Sequence, residues 1–160
     1  MLKPNYIFKD FLEITPDFLE SNNIKALLLD VDNTLTLAHK TKKLRDGAED
    51  WFALMRENDI KLIILSNAKA DRAKAFGESI GLYVIGMSAK PLPFGYCRAI
   101  KKLGIKREQI AMVGDQIFTD TLGANLVGIK SILVTDITPE SGLSFRIRRY
   151  LERKILKGVK

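Results

Sequence analysis

Leu27-Leu28-Leu29-Asp30-Val31-Asp32-Asn33-Thr34-Leu35-Thr36 carries the strongest signal in this 160-residue chain. A greasy run ends in two carboxylates two positions apart and then turns polar. Side chains alternate faces along a strand, so Asp30 and Asp32 start on one side, and past the strand's end both can converge on one pocket. In open α/β sheets, the carboxyl end of a buried strand is where ligands bind. Two neighbouring buried acids are costly unless a cation or a proton compensates.

Outward from this stretch, helical and strand periods alternate. Lys25–Val31 reads as a first strand. Ala48, Trp51, Phe52 and Met55 recur at helical spacing, which predicts a helix over Gly47–Glu57. Lys61–Leu65 reads as a strand, and Asp71–Ile80 as a helix closed by Gly81. Leu82–Ile85 is a short strand, followed by a helix near Phe94–Leu103 closed by Gly104. Ile110–Val113 and Ser131–Val134 are two more strands, with Asp120–Leu126 helical between them and Gly128 after it. The expected fold is α/β: a Rossmann-like three-layer sandwich around a parallel sheet of five or more strands. The whole chain, 1–160, is expected to form one such domain. Residues 1–24 form an aromatic lead-in with a helix start at Thr15-Pro16, and 140–160 a basic C-terminal helix.

Composition narrows the class. Hydrophobic residues at 46% and charged residues at 28% are ordinary for a globular domain. No apolar run reaches the roughly 18 residues of a membrane span, and no secretory signal is expected at the N-terminus. Cytosol, or the inner surface of a membrane, is the expected compartment. The lone cysteine, Cys97, excludes an internal disulfide and a multi-cysteine zinc site; its apolar pattern with Phe94 and Ile100 predicts burial. Net charge is +7, unevenly placed: Ser144 to Lys160 holds seven Lys and Arg against one acid, leaving the body nearly neutral.

Four polar features follow four strands: Asp30 and Asp32; Ser66-Asn67; Lys90; and Gly114-Asp115-Gln116-Ile117-Phe118-Thr119-Asp120. In a parallel sheet all of these open on one edge. Four carboxylates, a hydroxyl, an amide and an ammonium would then meet. Oxygen-only ligands suit a hard cation, above all Mg²⁺. A serine hydroxyl and a lysine suit phosphate oxygens. The expected reaction is phosphoryl transfer.

Asp30-Val31-Asp32-Asn33-Thr34 resembles motif I (D-x-D-x-[TV]) of the haloacid dehalogenase superfamily. Ser66 resembles motif II, Lys90 motif III, and Gly114-Asp115 to Asp120 motif IV. The resemblance implies that Asp30 is the nucleophile, forming an aspartyl-phosphate, and that Asp32 is the general acid and base. It further implies Mg²⁺ held by Asp30, the Asp32 main-chain carbonyl, Asp115 and Asp120. Substrate would be bound by Thr34, Ser66, Asn67 and Lys90. As an alternative role, Asp120 orients Lys90.

Asp30 to Ser66 spans 36 positions and Ser66 to Lys90 spans 24, neither with room for a cap domain. An open site follows. The motif sequences are similar to the subclass IIIA, YqeG-type phosphatases, related to mitochondrial phosphatidylglycerophosphate phosphatases. That resemblance implies phosphatidylglycerophosphate as substrate, with a soluble nucleotide, sugar or protein phosphate as the alternative. The tail places Leu143, Ile147, Tyr150, Leu151 and Ile155 on one helical face and Arg146, Arg149, Arg153 and Lys157 on another. Two readings stay open: the helix lies on an anionic bilayer, or its apolar stripe packs on the sheet while its charges are solvated. The basic loop Leu37–Arg45 follows motif I and could steer an anionic headgroup; His39 within it has no expected catalytic part. A non-enzymatic receiver-like phosphoacceptor is the rival reading, against which stands the D-x-D after the first strand. No nucleic-acid partner is expected.

Overall fold

The computed structural model describes residues 1–36, 43–135 and 143–158. The chain order is β1 (Tyr6–Phe8), α1 (Pro16–Ser21), β2 (Ala26–Leu29), α2 (Ala48–Glu57), β3 (Lys61–Leu65) and α3 (Ala70–Ile80). It continues with β4 (Tyr83–Ile85), α4 (Pro93–Leu103), β5 (Ile110–Gly114), α5 (Leu122–Val127), β6 (Lys130–Val134) and α6 (Leu143–Lys157). The six strands form one parallel sheet in the order β1-β6-β5-β2-β3-β4.

Strand alternation in β2 builds both core layers. Leu27 and Leu29 pack with Trp51, Phe52, Met55 and Phe76 on one face. Ala26 and Leu28 pack with Tyr96, Ala99, Leu103 and Ala124 on the other. The expected α/β sandwich is therefore present, with a sixth strand. That strand, β1, lies inside the aromatic lead-in and pairs Tyr6 with Ile132. Three residues at a sheet edge, bonded to a partner more than 120 positions away, leave no local pattern. Behind β1, the Thr15 hydroxyl caps α1 by accepting from Phe18 N, and Trp51 Nε1 donates to Ile14 O at 2.9 Å, fastening the lead-in to α2.

Two expectations are corrected. In α4 the inward stripe is Tyr96, Ala99 and Leu103, whereas Phe94 and Cys97 are exposed. Tyr96 can be buried because its hydroxyl finds main-chain acceptors, described below. In α6 the expected faces are exchanged in part: Ile147, Tyr150 and Leu151 are exposed, while Arg149 and Glu152 turn toward the body. At Ile147, Tyr150 and Leu151 the apolar stripe of α6 thus faces away from the body. Most of the basic loop after motif I, including His39, lies outside the described residues.

Candidate active site

Strand β2 sits between β3 and β5, where the chain's winding changes direction. Such a switch point opens a crevice beyond the strand ends. Asp30 and Asp115 stand there, each the residue just after one of two neighbouring strands, and Asp30 N donates to Val113 O at 2.9 Å. Both strands run directly into one turn of π-helix, Val31–Leu35 and Ile117–Thr121. These wide turns carry Asp32 and Asp120. Turns of this kind recur at functional sites because they re-aim side chains.

Lys90 arrives from the β4–α4 connection. Asn67 holds that connection by its side chain: Oδ1 accepts from Lys90 N at 2.8 Å and from Ser88 Oγ at 2.9 Å, and Nδ2 donates to Lys90 O at 3.2 Å. Met87 and Ala89 take left-handed backbone, φ 47° and 54°. Each costs about 1–2 kcal/mol, which the Asn67 bonds help offset. The result is a buried ammonium between two acids. Lys90 Nζ donates to Asp30 Oδ1 and to Asp120 Oδ1, each at 2.7 Å.

One carboxylate oxygen each from Asp30, Asp115 and Asp120 lies within 4.8 Å of the others. Burial pushes the Asp30 carboxyl up to about 6, with Lys90 opposing and Asp120 and Asp32 adding. Asp115 is raised well above the carboxylate range by burial, then by Asp30 and Asp120, with Arg149 opposing. Burial pulls the Lys90 ammonium down, but Asp120 and Asp30 outweigh it and hold it above its usual value. Negative charge is therefore in excess. Asp115 Oδ1, among the described residues, is buried with no hydrogen-bond partner. An all-oxygen cluster with an unsatisfied buried acceptor fits a hard divalent cation held by Asp30, Asp115 and Asp120.

The remaining expected residues separate. Asp30, Asp32, Ser66, Asn67 and Lys90 line one open cavity of about 540 Å³. Ser66 Oγ accepts from Ala68 N at 3.1 Å, which fixes the hydroxyl in the cavity that Asp30 also lines. The Asp32 carboxylate stands outside the three-acid cluster, at the cavity wall, where Arg72 Nη2 donates to its Oδ1 at 3.1 Å. Thr34 is fully buried and does not line the cavity.

Sequence reasoning missed Arg72, Lys69 and Tyr96. Lys69 and Arg72 line the cavity from the start of α3. A cation in a helix's first turn opposes the helix dipole, and that local misfit was the available signal. Tyr96 is legible only in three dimensions. Its hydroxyl donates to Thr119 O at 2.9 Å and Asp120 O at 3.3 Å, so it holds the second π-turn from beneath.

Comparison with known proteins agrees with this geometry. The model of the haloacid dehalogenase-like hydrolase family matches residues 37–128. That match begins just after the Asp30 segment. The Bacillus subtilis protein described as "Probable phosphatase YqeG" is 35% identical over 98% of this chain and 91% of its own length. The mitochondrial phosphatidylglycerophosphatase GEP4 of Saccharomyces cerevisiae is 28% identical over 85% of this chain and 79% of its own length. The fold is shared with the cobalt-bound deoxy-D-mannose-octulosonate 8-phosphate phosphatase of Haemophilus influenzae (TM-score 0.57, 16% identity, 85% of this chain and 89% of that one). With more than half its length under the family model and a full-length relative above 30% identity, the chain belongs to the haloacid dehalogenase-like hydrolases.

Proposed function

We propose that this chain is a Mg²⁺-dependent phosphomonoesterase that works through an aspartyl-phosphate on Asp30. One observation carries the reading: Asp30, bonded to Lys90 Nζ at 2.7 Å and clustered with Asp115 and Asp120, opens onto the same cavity as Asp32 and Ser66. When bound, Mg²⁺ would offset the cluster's charge and that of the phosphoryl oxygens. Asp30 attacks phosphorus through one carboxylate oxygen, and the ester P–O bond breaks. Asp32 gives its proton to the departing alkoxide oxygen. It then takes a proton from water as that water attacks the phosphorus of the acyl phosphate. Inorganic phosphate leaves and the Asp30 carboxylate is restored. The Ser66 hydroxyl and the Asn67 main-chain N–H hold the phosphoryl oxygens through both steps, and Lys90 neutralises part of their charge. Thr34, fully buried and away from the cavity lining, is given no part in holding substrate. Unaided monoester hydrolysis is slow enough to demand up to about 10²¹-fold acceleration. Acid–base help gives about 10²–10⁴, so positioned charge must supply most of the rest.

For the substrate we infer phosphatidylglycerophosphate, giving phosphatidylglycerol. The 28% identity to GEP4 supports this, as does a cavity that is open among the described residues. So does the outer surface of α6. Exposed Ile147, Tyr150 and Leu151 lie there among exposed Arg146, Arg153, Lys154 and Lys157, a composition suited to an anionic bilayer. The chain's place would then be the inner face of a membrane. No helix among the described residues is long and apolar enough to cross one.

The test is Mg²⁺-dependent phosphate release from phosphatidylglycerophosphate in vesicles and from a panel of soluble phosphomonoesters, with Asp30→Asn as the blank. Preference for the lipid by 10-fold or more is expected. Preference for soluble esters removes the lipid reading and leaves the chemistry. Turnover surviving in the blank removes the nucleophile. Co-sedimentation with anionic but not neutral vesicles is the matching expectation for α6.

A further inference from the structure

The C-terminal helix reaches into the acid cluster through one buried side chain. Arg149 Nη2 donates to Asp115 Oδ2 and Arg149 Nη1 to the Asp115 main-chain O, each at 2.7 Å. Nη1 also donates to Glu152 Oε2 at 2.8 Å, and Glu152 Oε1 accepts from Ile117 N at 3.0 Å. The side chains of Arg149, Glu152 and Asp115 are 13%, 5% and 0% exposed. The helix therefore grips the segment 115–117 at both ends. A guanidinium fork on the carbonyl and carboxylate of one residue fixes both its backbone and its rotamer.

This grip divides the two oxygens of Asp115. Oδ2 is committed to Arg149. Oδ1 is buried and, among the described residues, has no hydrogen-bond partner. A cation in the three-acid cluster thus meets Asp115 through a single oxygen. Mg²⁺ takes six ligands in a tight octahedron and accepts single-oxygen carboxylates. Ca²⁺ takes six to eight at longer distances and favours carboxylates that offer both oxygens. Holding Oδ2 away removes the ligation mode that Ca²⁺ would use.

We propose that Arg149, braced by Glu152, is a positioning and metal-selectivity residue: it keeps Asp115 a one-oxygen ligand and so favours Mg²⁺ over Ca²⁺. The proposal rests on Asp115 being a metal ligand. Loss of a neighbouring positive charge would alter affinity for both divalent ions alike. The ratio of the two affinities is insensitive to that change and reports the geometry.

The experiment is calorimetric titration of the full chain with MgCl₂ and with CaCl₂. Wild type, Arg149→Leu, Arg149→Lys and Asp115→Asn are compared, with circular dichroism to establish folding. The Mg²⁺/Ca²⁺ affinity ratio is expected to fall about 10-fold in Arg149→Leu. In Arg149→Lys, where one ammonium cannot span carbonyl and carboxylate together, a fall of about threefold is expected. A ratio within twofold of wild type in the folded variants overturns the proposal. Should Arg149→Leu fail to fold, the ratio in Arg149→Lys decides. Asp115→Asn binding both ions as wild type does would instead overturn the metal assignment itself, leaving Arg149 a purely structural partner of that aspartate.

Discussion

The guanidinium of Arg72 donates to Oδ1 of Asp32 across 3.1 Å, joining residues 40 positions apart at the wall of the cavity. Their side chains are 34% and 18% exposed, so the pair is partly solvated and worth under about 1 kcal/mol to stability. Its weight is positional, since Asp32 is the proposed acid and base. Arg72→Ala should melt within roughly 3 °C of wild type and lose about 10-fold in kcat through misplacement of Asp32. Melting curves beside steady-state kinetics check this. Unchanged kcat would separate Arg72 from the chemistry.

Lys90 is the ammonium that the Asp30–Asp120 pair shares. Lys90→Met leaves two buried acids facing each other. Breaking a buried ion pair costs about 3–5 kcal/mol, or roughly 10 °C in Tm for a chain of this size. Saturating Mg²⁺ should recover part of that loss, because it would neutralise the same two carboxylates. Differential scanning calorimetry with and without Mg²⁺ measures both effects. Equal Tm loss in the two conditions would argue that cation and lysine do not share ligands.

At Gly114 a methyl group would sit 2.2 Å from Asp120 Oδ2 and 2.3 Å from its Cγ. No side-chain rearrangement is free here, since Asp120 is itself held by Lys90 Nζ. Gly114→Ala should therefore push Asp120 off the cluster. We expect activity to fall about 10²-fold and the Mg²⁺ requirement to rise, read by titrating Mg²⁺ at fixed substrate. Wild-type Mg²⁺ dependence in a folded Gly114→Ala would show that Asp120 is dispensable to the ion.

The acid cluster predicts how the metal-free chain responds to pH. In the folded state Asp30 keeps its proton to about pH 6, against an ordinary 3.8. Folding takes up a proton between those values. The stabilisation is complete below 3.8 and lost as pH rises through 6. Asp115 shifts in the same direction. Metal-free protein should then melt a few degrees higher at pH 5 than at pH 7.5. Mg²⁺ should raise Tm more at pH 7.5, where the carboxylates are ionised. A metal-free Tm that falls on going from pH 7.5 to 5 would contradict the shift.

Tyr96→Phe removes the hydroxyl that bonds to Thr119 O and Asp120 O. The carbonyls lose a buried donor, at about 1–2 kcal/mol, or roughly 3–6 °C. Activity should fall less than threefold if the π-turn keeps its shape, which paired melting and kinetic measurements will show.

Periodicity placed five strands and most helix ends within a residue or two, because amphipathic faces and C-capping glycines are local signals. Gly81, Gly104 and Gly128 each close their helix in left-handed backbone. The phase of α4 escaped that reading. Phe94 and Cys97 look more apolar than Tyr96, yet the tyrosine goes inside because acceptors from the distant 119–120 segment await its hydroxyl. The phase of α6 escaped it for a related reason. A buried arginine looks like a solvated one until its carboxylate partner, 34 positions away, is located.

The chain by itself determined the alternation of strand and helix, the polar residues that follow each strand, and hence the set of groups that a parallel sheet must bring to one edge. Strand ends share an edge by topology alone, so Asp30, Ser66, Lys90 and Asp115 needed no coordinates to be grouped. Only the tertiary structure decided that Lys90 Nζ bonds Asp30 and Asp120 while Arg149 bonds Asp115, and that Asn67 braces the Lys90 loop. It also decided that Arg72 and Arg149, ordinary surface cations in sequence, each hold an aspartate. Hydrogen bonds between segments tens of residues apart depend on ångström-scale placement, which hydrophobic pattern does not encode.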